Sequence, residues 1–321
     1  MNLHQLSSGD LIADRRAEYA HMLAESGDHA DAADLMRQAL ELVPDWAAGW
    51  FRLADYEEKS GGKEAAAKAL KRVLELNPDD IFGAGLKLAL LGDTETPPQP
   101  PSSYVERLFD DYADRFDAAL VERLNYTVPQ KLAALIARHV GETRFSHTID
   151  LGCGTGLFGA EIRERTDYLE GVDLSANMLA KAEAKKLYDR LGQADLSLST
   201  EACGLFDAER EAGRADLVSA ADVLMYLGNL EGVFEIVDGL LADGGLFAFS
   251  VEDLEAGEST PETGFALRQS LRYAHSEAYV RGLAEGRGFT LIEISRTAIR
   301  DDGGKPVFGI LFLAAKGKAG A

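Results

Sequence analysis

The sequence predicts an α/β protein, a doubly wound sheet whose last strand runs antiparallel, preceded by an all-α domain of helical hairpins. Three observations predict it. The first hundred residues repeat themselves at a fixed offset, a proline-rich stretch follows, and beyond it strand-like apolar runs alternate with helical segments up to a closing hairpin. The chain has 321 residues, a length that suits two domains, and 46% of them are hydrophobic, enough to bury a core in each.

The repeat comes first. Ser26-Gly27 and Ser60-Gly61 stand 34 positions apart, and the same offset lays Ala32-Ala33 on Ala66-Ala67, Leu40-Glu41-Leu42 on Leu74-Glu75-Leu76 and Pro44-Asp45 on Pro78-Asp79. Alanine lets paired helices approach closely, Gly27 and Gly61 end the first helix of each pair, and Pro44 and Pro78 stop the second because Pro lacks the donor that would continue it. This pattern is similar to tetratricopeptide (TPR) repeats. Trp50, Leu53 and Ala54 take the bulky, large apolar and small positions of the second repeat, whereas the first has Arg16 at its bulky position, as suits an exposed terminal repeat. Asp80 to Leu91 reads as a solitary amphipathic helix that closes the stack, and the repeat domain is placed at residues 1–92.

Four of the nine prolines fall between Pro97 and Pro101, so residues 93–103 are expected to form a semi-rigid linker, extended at roughly 3 Å per residue. In the remainder, 104–321, helices are expected from about Tyr104 to Leu124 and from Pro129 to His139. Strands are expected at Thr148–Leu151, Tyr168–Asp173, Asp216–Ala221 and Leu246–Val251, with helices after the first three. Thr290–Ser295 and Val307–Ala314, parted by Asp301-Asp302-Gly303-Gly304, read as the antiparallel hairpin.

Composition narrows the partners. Lys and Arg total 33 against 54 Asp and Glu, a net charge of −21 that opposes binding to nucleic acid or to an anionic membrane surface. Cys153 and Cys203 form neither a disulfide framework nor a metal cluster, no His pair has metal-ligand spacing, and the N-terminal residues have no apolar core. A cytoplasmic protein without a metal is the expectation.

The segment Thr148-Ile-Asp150-Leu-Gly152-Cys-Gly154-Thr-Gly156-Leu-Phe-Gly159 is the chemical centre of the sequence. An apolar strand runs into an acid, and glycines at alternate positions follow before a helix, as where backbone must lie against a ligand. Seventeen residues after Gly156 a second strand ends in Asp173, a carboxylate placed to accept from vicinal ribose hydroxyls. Asp195 follows the short apolar break at Leu191-Gly192 and is placed to meet an adenine amino group.

On these motifs, with Gly-Val-Asp-Leu-Ser-Ala-Asn-Met-Leu at 171–179, Ala-Asp-Leu at 194–196, Asp-Leu-Val-Ser-Ala-Ala-Asp at 216–222 and Leu-Leu-Ala-Asp-Gly-Gly at 240–245, the region from Tyr104 to Ala315 resembles the class I S-adenosylmethionine-dependent methyltransferases. The resemblance implies a Rossmann-like methyltransferase sheet and S-adenosylmethionine as cofactor. It implies that Asp150, Gly152, Gly154 and Gly156 hold the amino-acid end, and that Asp173 binds the ribose. Leu174 and Met178 would flank the adenine, Asp195 and Leu196 would contact its edge, and Ala221 would border the site. Tyr104 and Tyr112 are candidates for aromatics of an N-terminal helix that closes over the cofactor. The arrangement also resembles predicted bacterial methyltransferases that carry an N-terminal TPR.

Two alternatives stand beside it. Gly154-x-Gly156-x-x-Gly159 satisfies a dinucleotide-binding pattern with Asp173 at a suitable distance, which would make the chain an NAD(P)-binding oxidoreductase. That pattern fits only in a register shifted two residues into the loop, since the first glycine after the strand is Gly152. The other is a non-enzymatic TPR scaffold on a degenerate methyltransferase fold.

For the acceptor, the fourth strand ends Ala221-Asp222-Val-Leu-Met-Tyr226, which is neither the Asn/Asp-Pro-Pro-aromatic motif of amino-group methylation on adenine or glutamine nor accompanied by a Pro-Cys nucleophile. O- or N-methylation of a small molecule is the residual reading. His275 is the candidate base, with Ser276 as the N-cap of a following helix in the alternative, structural reading. Asp222, Tyr226 and Tyr273 are candidate pocket residues, and Arg272 is placed to pair either with an acidic substrate or with the chain's surplus carboxylates. The TPR is expected to recruit a protein partner or to mediate self-association.

Overall fold

The computed structural model describes residues 7–116, 126–208, 210–254 and 262–318. The chain divides into two compact units, Met1–Arg107 and Leu108–Ala321.

The first unit is a stack of antiparallel helices: α1 (Leu11–Glu25), α2 (His29–Leu40), α3 (Ala47–Lys59), α4 (Lys63–Leu76) and α5 (Ala84–Leu91). Gly27 and Gly61 both adopt φ +90°, the left-handed turn that reverses the chain after α1 and α3. Ala32, Ala33, Ala66 and Ala67 are buried as the repeat pattern requires. The closing helix is shorter than the amphipathic pattern suggested, because Asp80 stands outside it. Asp80 takes φ +47°, and its carboxylate accepts from the backbone N–H groups of Ala84 at 2.6 Å and Gly85 at 2.9 Å, so it caps the helix. Tyr104, at the start of α6 (Ser102–Tyr112), is buried in this unit, with its ring 3.0 Å from where a Cβ on Gly83 would sit.

The second unit takes up from α6 and a short 3-10 turn (Ala113–Arg115), and the rest of the helix expected to Leu124 lies outside the described residues. Then come α7 (Val128–Val140), β1 (Phe145–Leu151), α8 (Leu157–Ile162), β2 (Thr166–Asp173), α9 (Ala176–Lys185), β3 (Arg190–Gln193) and β4 (Ala215–Ala220). They are followed by α10 (Glu231–Leu240), β5 (Leu241–Asp253), β6 (Phe265–Leu267), β7 (Tyr273–His275), α11 (Glu277–Gly286), β8 (Phe289–Asp302) and β9 (Lys305–Lys316). Strands β3-β2-β1-β4-β5 pair in parallel, in that order. β9 pairs antiparallel with both β5 and β8, so the last strand runs against the parallel strands, as the sequence predicted, and the short β6 does so too through its antiparallel pairing with β7. Gly303 and Gly304 turn the β8–β9 hairpin with φ +55° and +76°.

Alternate residues of the strands feed two cores. Ile149, Val218, Phe247, Phe249 and Phe312 pack with Phe234 and Val237 of α10, while Leu217, Leu311 and Leu313 pack with Leu132, Leu135 and Ile136 of α7. Three strands were not expected. β3 is only four residues long, and β6 and β7 only three each, too short for any periodicity to register. Their placement matters, because β7 pairs in parallel with Glu252 and Asp253 of β5, beyond the point where β4 stops at Ala220–Phe249. The small β6–β7 hairpin thereby walls the C-terminal ends of β4 and β5.

Between β5 and β8 there is no room at Gly309, where an added Cβ would meet the carbonyl oxygen of Val251 at 2.7 Å and the Ile299 side chain at 2.7 Å. Gly309→Ala should force the strands apart and cost roughly 1–3 kcal/mol. Thermal unfolding checks this, and an unchanged melting temperature would contradict the tight β5–β9–β8 contact.

Candidate functional site

Parallel strands present their C-terminal ends and the following loops on one edge of the sheet, and ligands of open α/β folds bind there. The last residues of β1 and β2 bring Asp150 and Asp173 to that edge. Asp150 is buried and accepts from the Tyr188 hydroxyl at 2.8 Å on Oδ2 and from the Ser219 hydroxyl at 2.8 Å on Oδ1. Asp173 accepts from the backbone N–H of Gly154 at 2.8 Å and of Ser175 at 2.9 Å. Among the described residues no Lys or Arg bonds to either carboxylate. Burial without a cation pushes Asp150 up from 3.8 to about 7 and Asp173 up from 3.8 to about 6.

The loop between β1 and α8 curls over these acids in a left-handed path, with φ +62° at Gly152, +54° at Gly154 and +91° at Gly156. A Cβ on Gly152 would fall 2.5 Å from a methyl of Val223, so this glycine admits a side chain from the loop after β4. Tyr188 is the organiser that the motifs did not reveal. Its ring occupies the space left by Gly156 and Gly171, where added Cβ atoms would lie 3.0 and 2.7 Å from it, and its hydroxyl lies against Gly159. The third glycine of the apparent dinucleotide pattern is therefore required by Tyr188.

Helix α6 is tied to the same edge. Asp110 accepts from the Ser175 hydroxyl at 2.6 Å, and its backbone carbonyl accepts from the Asn177 amide at 3.3 Å. Ser175 also caps α9 by accepting from the N–H of Met178. The aromatics carried in train are Phe109, Tyr112 and Phe116: Phe109 meets Tyr226 edge-on at 4.9 Å, Tyr112 meets Phe116 at 5.7 Å, and the Phe116 ring lies 3.8 Å from where a Cβ on Gly154 would be. Tyr112 thus stands in the cluster over the glycine loop. Tyr104 does not, since it is packed against Gly83 in the first unit.

The other predicted cofactor residues are placed as follows. Leu174 is half-buried with its carbonyl bonded by Gln193, and Met178 is fully buried. Asp195 accepts from the N–H and hydroxyl of Ser197, and Leu196 packs on the core beneath. The carbonyl of Ala221 accepts from the Tyr126 hydroxyl at 3.4 Å.

Beyond β4 the edge carries interlocked acids and arginines. Asp222 takes φ +61°, a strained conformation for a residue with a side chain, and its N–H is held by the Ser250 hydroxyl at 2.8 Å. Both its carboxylate oxygens accept from Nη1 of Arg300, at 3.0 and 2.9 Å, while Nη2 of Arg300 bonds Glu252. Glu252 is also approached by Arg268 at 3.3 Å and Arg272 at 3.6 Å. Burial and the neighbouring Glu252 raise Asp222 despite Arg300, and burial raises Tyr126 and Tyr226, which stay protonated beside it.

Two candidates are corrected by their placement. His275 does not open the helix but lies in β7, fully buried, where its Nε2 bonds the Gly228 carbonyl at 2.9 Å and its ring stacks on Tyr279. Burial lowers it to about 4, so it is neutral and hydrogen-bonded into the fold. Ser276 is the N-cap of α11, accepting from the N–H of Tyr279, as the structural alternative proposed. Tyr273 is likewise fully buried, edge-on to Phe265. Neither side chain is presented to a ligand. Among the described residues no group of three His, Cys, Asp or Glu gathers to hold a metal, and no helix is long and apolar enough to cross a membrane.

Comparison with known proteins adds the following. Residues 149–247 match the family model for a methyltransferase domain, and residues 13–56 match that of a tetratricopeptide repeat. A malonyl-[acyl-carrier protein] O-methyltransferase of Enterobacter lignolyticus is 32% identical over 139 residues, 43% of this chain and 49% of that protein. One from Chlorobium phaeovibrioides is 27% identical over 57% of this chain and 70% of its own length. The chain spans about half the length of the first curated relatives it matches. Among solved structures, the 1,6-didemethyltoxoflavin-N1-methyltransferase of Burkholderia thailandensis, crystallised with that substrate and S-adenosylhomocysteine, is similar in fold at TM-score 0.51 and 18% identity, covering 70% of this chain and 94% of that one.

The raised protonation of Asp150 has a measurable consequence. The folded chain keeps a proton that the unfolded chain releases, so this group's contribution to stability is full below about pH 4 and is lost as pH rises through about 7. Asp150→Asn preserves the shape and removes the ionisation. At about pH 8 the ligand-free Asn variant should therefore be more stable than the natural chain, by roughly a few kcal/mol, with the difference fading as pH falls toward about 4. Equal melting temperatures at the higher pH would contradict an unpaired buried carboxylate.

Proposed function

From a chain that joins a tetratricopeptide repeat to a methyltransferase domain, we infer an S-adenosylmethionine-dependent methyltransferase acting on an O or N of a small molecule. The observation that carries this reading is the pair Asp150, buried, and Asp173, half-buried, at the ends of adjacent strands, bonded to no cation among the described residues and spanned by a left-handed glycine loop. Such a cradle suits a ligand that is cationic at one end and carries ribose hydroxyls at the other. When bound, S-adenosylmethionine supplies a methyl group on a cationic sulfur, an electrophile that needs alignment more than activation.

Each residue then has a task. Asp150, oriented by Tyr188 and Ser219, would accept from the cationic amino-acid end, and Asp173 would exchange its backbone partners for ribose hydroxyls. Leu174 and Met178 would border the adenine and Asp195 its edge. Phe116, Tyr112 and Phe109 would exclude water from above, and Tyr226, held edge-on by Phe109, would line the acceptor side with Asp222. The O-methyltransferase names of the relatives support oxygen as the acceptor atom. The oxidoreductase alternative loses its support at Gly159, which is needed for Tyr188. For the repeats we propose a protein-binding role, with self-association as the other use, and for the whole chain a reducing, cytoplasmic setting in which Cys153 and Cys203 stay unpaired.

Calorimetric titration with S-adenosylmethionine, and with NAD and NADP in parallel, tests the reading. Only the methyl donor should bind, and Asp173→Ala should weaken it at least about tenfold, equivalent to ~1.4 kcal/mol. Binding of a nicotinamide cofactor instead would overturn it.

A further inference from the structure

A stack of helical repeats needs a polar face at each end, because an end helix has no neighbour to cover its apolar side. At one end α5 closes the stack, with Phe82, Ala84 and Leu88 packed into its core. The other end is α1, and its outer face is not polar. Leu11, Ile12, Tyr19 and Met22 all lie on this one helix, each more than half exposed. They are four of the nine large hydrophobic side chains exposed among the described residues, so the exposure is concentrated rather than scattered. We propose that this face of α1 docks on α1 of a second copy of the chain, paired antiparallel about a two-fold axis. The proposal deepens the self-association reading of the repeats and rests on it.

The repeat itself shows what covers such a face. The 34-residue offset carries Ile12, Arg15, Glu18, Tyr19 and Met22 onto Trp46, Gly49, Arg52, Leu53 and Tyr56. The first five are exposed and the second five are buried. What buries the second set is the preceding hairpin. A Cβ on Gly49 would fall 2.9 Å from the Leu40 side chain of α2, and Glu57, on the same side of α3, accepts from Arg37 of α2 at 3.1 Å. The positions that α3 packs on a preceding helix, α1 presents to solvent. Its face has the pattern of a helix-stacking surface.

Self-complementarity shows which helix fits. Ile12, Arg15, Tyr19 and Met22 recur at spacings of three and four, which makes one stripe down α1. Turned end for end on its own copy, with the axis level with Ala17, the stripe sets Ile12 of one copy against Met22 of the other. Leu11 then faces Leu23, and Arg15 faces Tyr19 with Glu18 beside it. Apolar groups meet apolar groups, and each Arg15 lies between an aromatic ring and a carboxylate. Every such contact occurs twice, as in any isologous pair. A parallel pairing would instead set Arg15 on Arg15 and Glu18 on Glu18. The helix has 15 residues, a length of about 22 Å. Its face therefore gives an interface near the lower limit of about 1,000 Å², and the dimer is weak and concentration-dependent.

Sedimentation velocity of the full chain from about 1 to about 300 µM, a range suited to so small an interface, tests this. The sedimenting mass should rise from 34.7 kDa toward twice that value. Tyr19→Lys and Met22→Lys, both at exposed positions, should each weaken association at least tenfold and leave the melting temperature and S-adenosylhomocysteine affinity unchanged. The charge variants test the register. Arg15→Glu and Glu18→Arg should each stay monomeric alone and should dimerise when mixed, because each restores the other's ion pairs. Glu18 also attracts Arg52 of its own copy, so if its variant melts early the two lysine variants decide. A chain that stays monomeric throughout overturns the proposal and the self-association reading together, leaving the methyltransferase reading as it was. A dimer that both lysine variants leave intact, or folded charge variants that stay monomeric when mixed, overturns α1 as the surface while self-association of the chain stands.

Discussion

Two carboxylates at the ends of adjacent strands, Asp150 buried and Asp173 half-buried and neither bonded to a cation among the described residues, set the terms for everything around them. A buried acid is tolerated only if its oxygens are hydrogen-bonded, and its charge remains costly until an opposite charge arrives. Asp150 meets the first condition with two hydroxyls and Asp173 with two backbone amides. The local fold follows from those bonds. Tyr188 reaches Asp150 only because Gly156, Gly159 and Gly171 leave room for its ring, and Gly154 reaches Asp173 only because the loop is left-handed there. The same edge recruits α6 through Asp110, whose charge adds to the pressure on Asp173.

A second cluster of charged side chains lies where β5 outruns β4. There Asp222 and Glu252 are engaged by arginine. Asp222 joins the two halves, since it follows Ala221 at the end of β4 and its strained backbone is anchored by Ser250. A cationic ligand at the Asp150–Asp173 edge would relieve a cost built into the free protein.

Much of this was legible in the sequence, and the reasons are local. The 34-residue offset, the turn glycines Gly27 and Gly61, the Asp150–Gly156 loop, Asp173 and the terminal hairpin are contiguous signals whose meaning survives without knowledge of the fold. What was missed depends on distance along the chain. Tyr188 sits 38 residues from the carboxylate it orients, and Arg300 lies 78 residues from Asp222 and 48 from Glu252. His275 and Tyr273 were misplaced because β7 is three residues long and carries no alternation that would mark it as a strand. Arg272 was singled out for an acidic ligand, but only the fold brings it beside Arg268 and Arg300.

The central claim is that the Asp150–Asp173 cradle awaits a cationic ligand, and proton release on cofactor binding tests it most directly. Titrating S-adenosylmethionine at about pH 6.5 in buffers of different ionisation enthalpy separates the heat of binding from the heat of proton exchange. Carboxylates raised to about 7 and about 6 are part-protonated there, so binding should release protons to the buffer, and Asp150→Asn should diminish that release. Binding heats independent of the buffer, or proton uptake, would contradict the account.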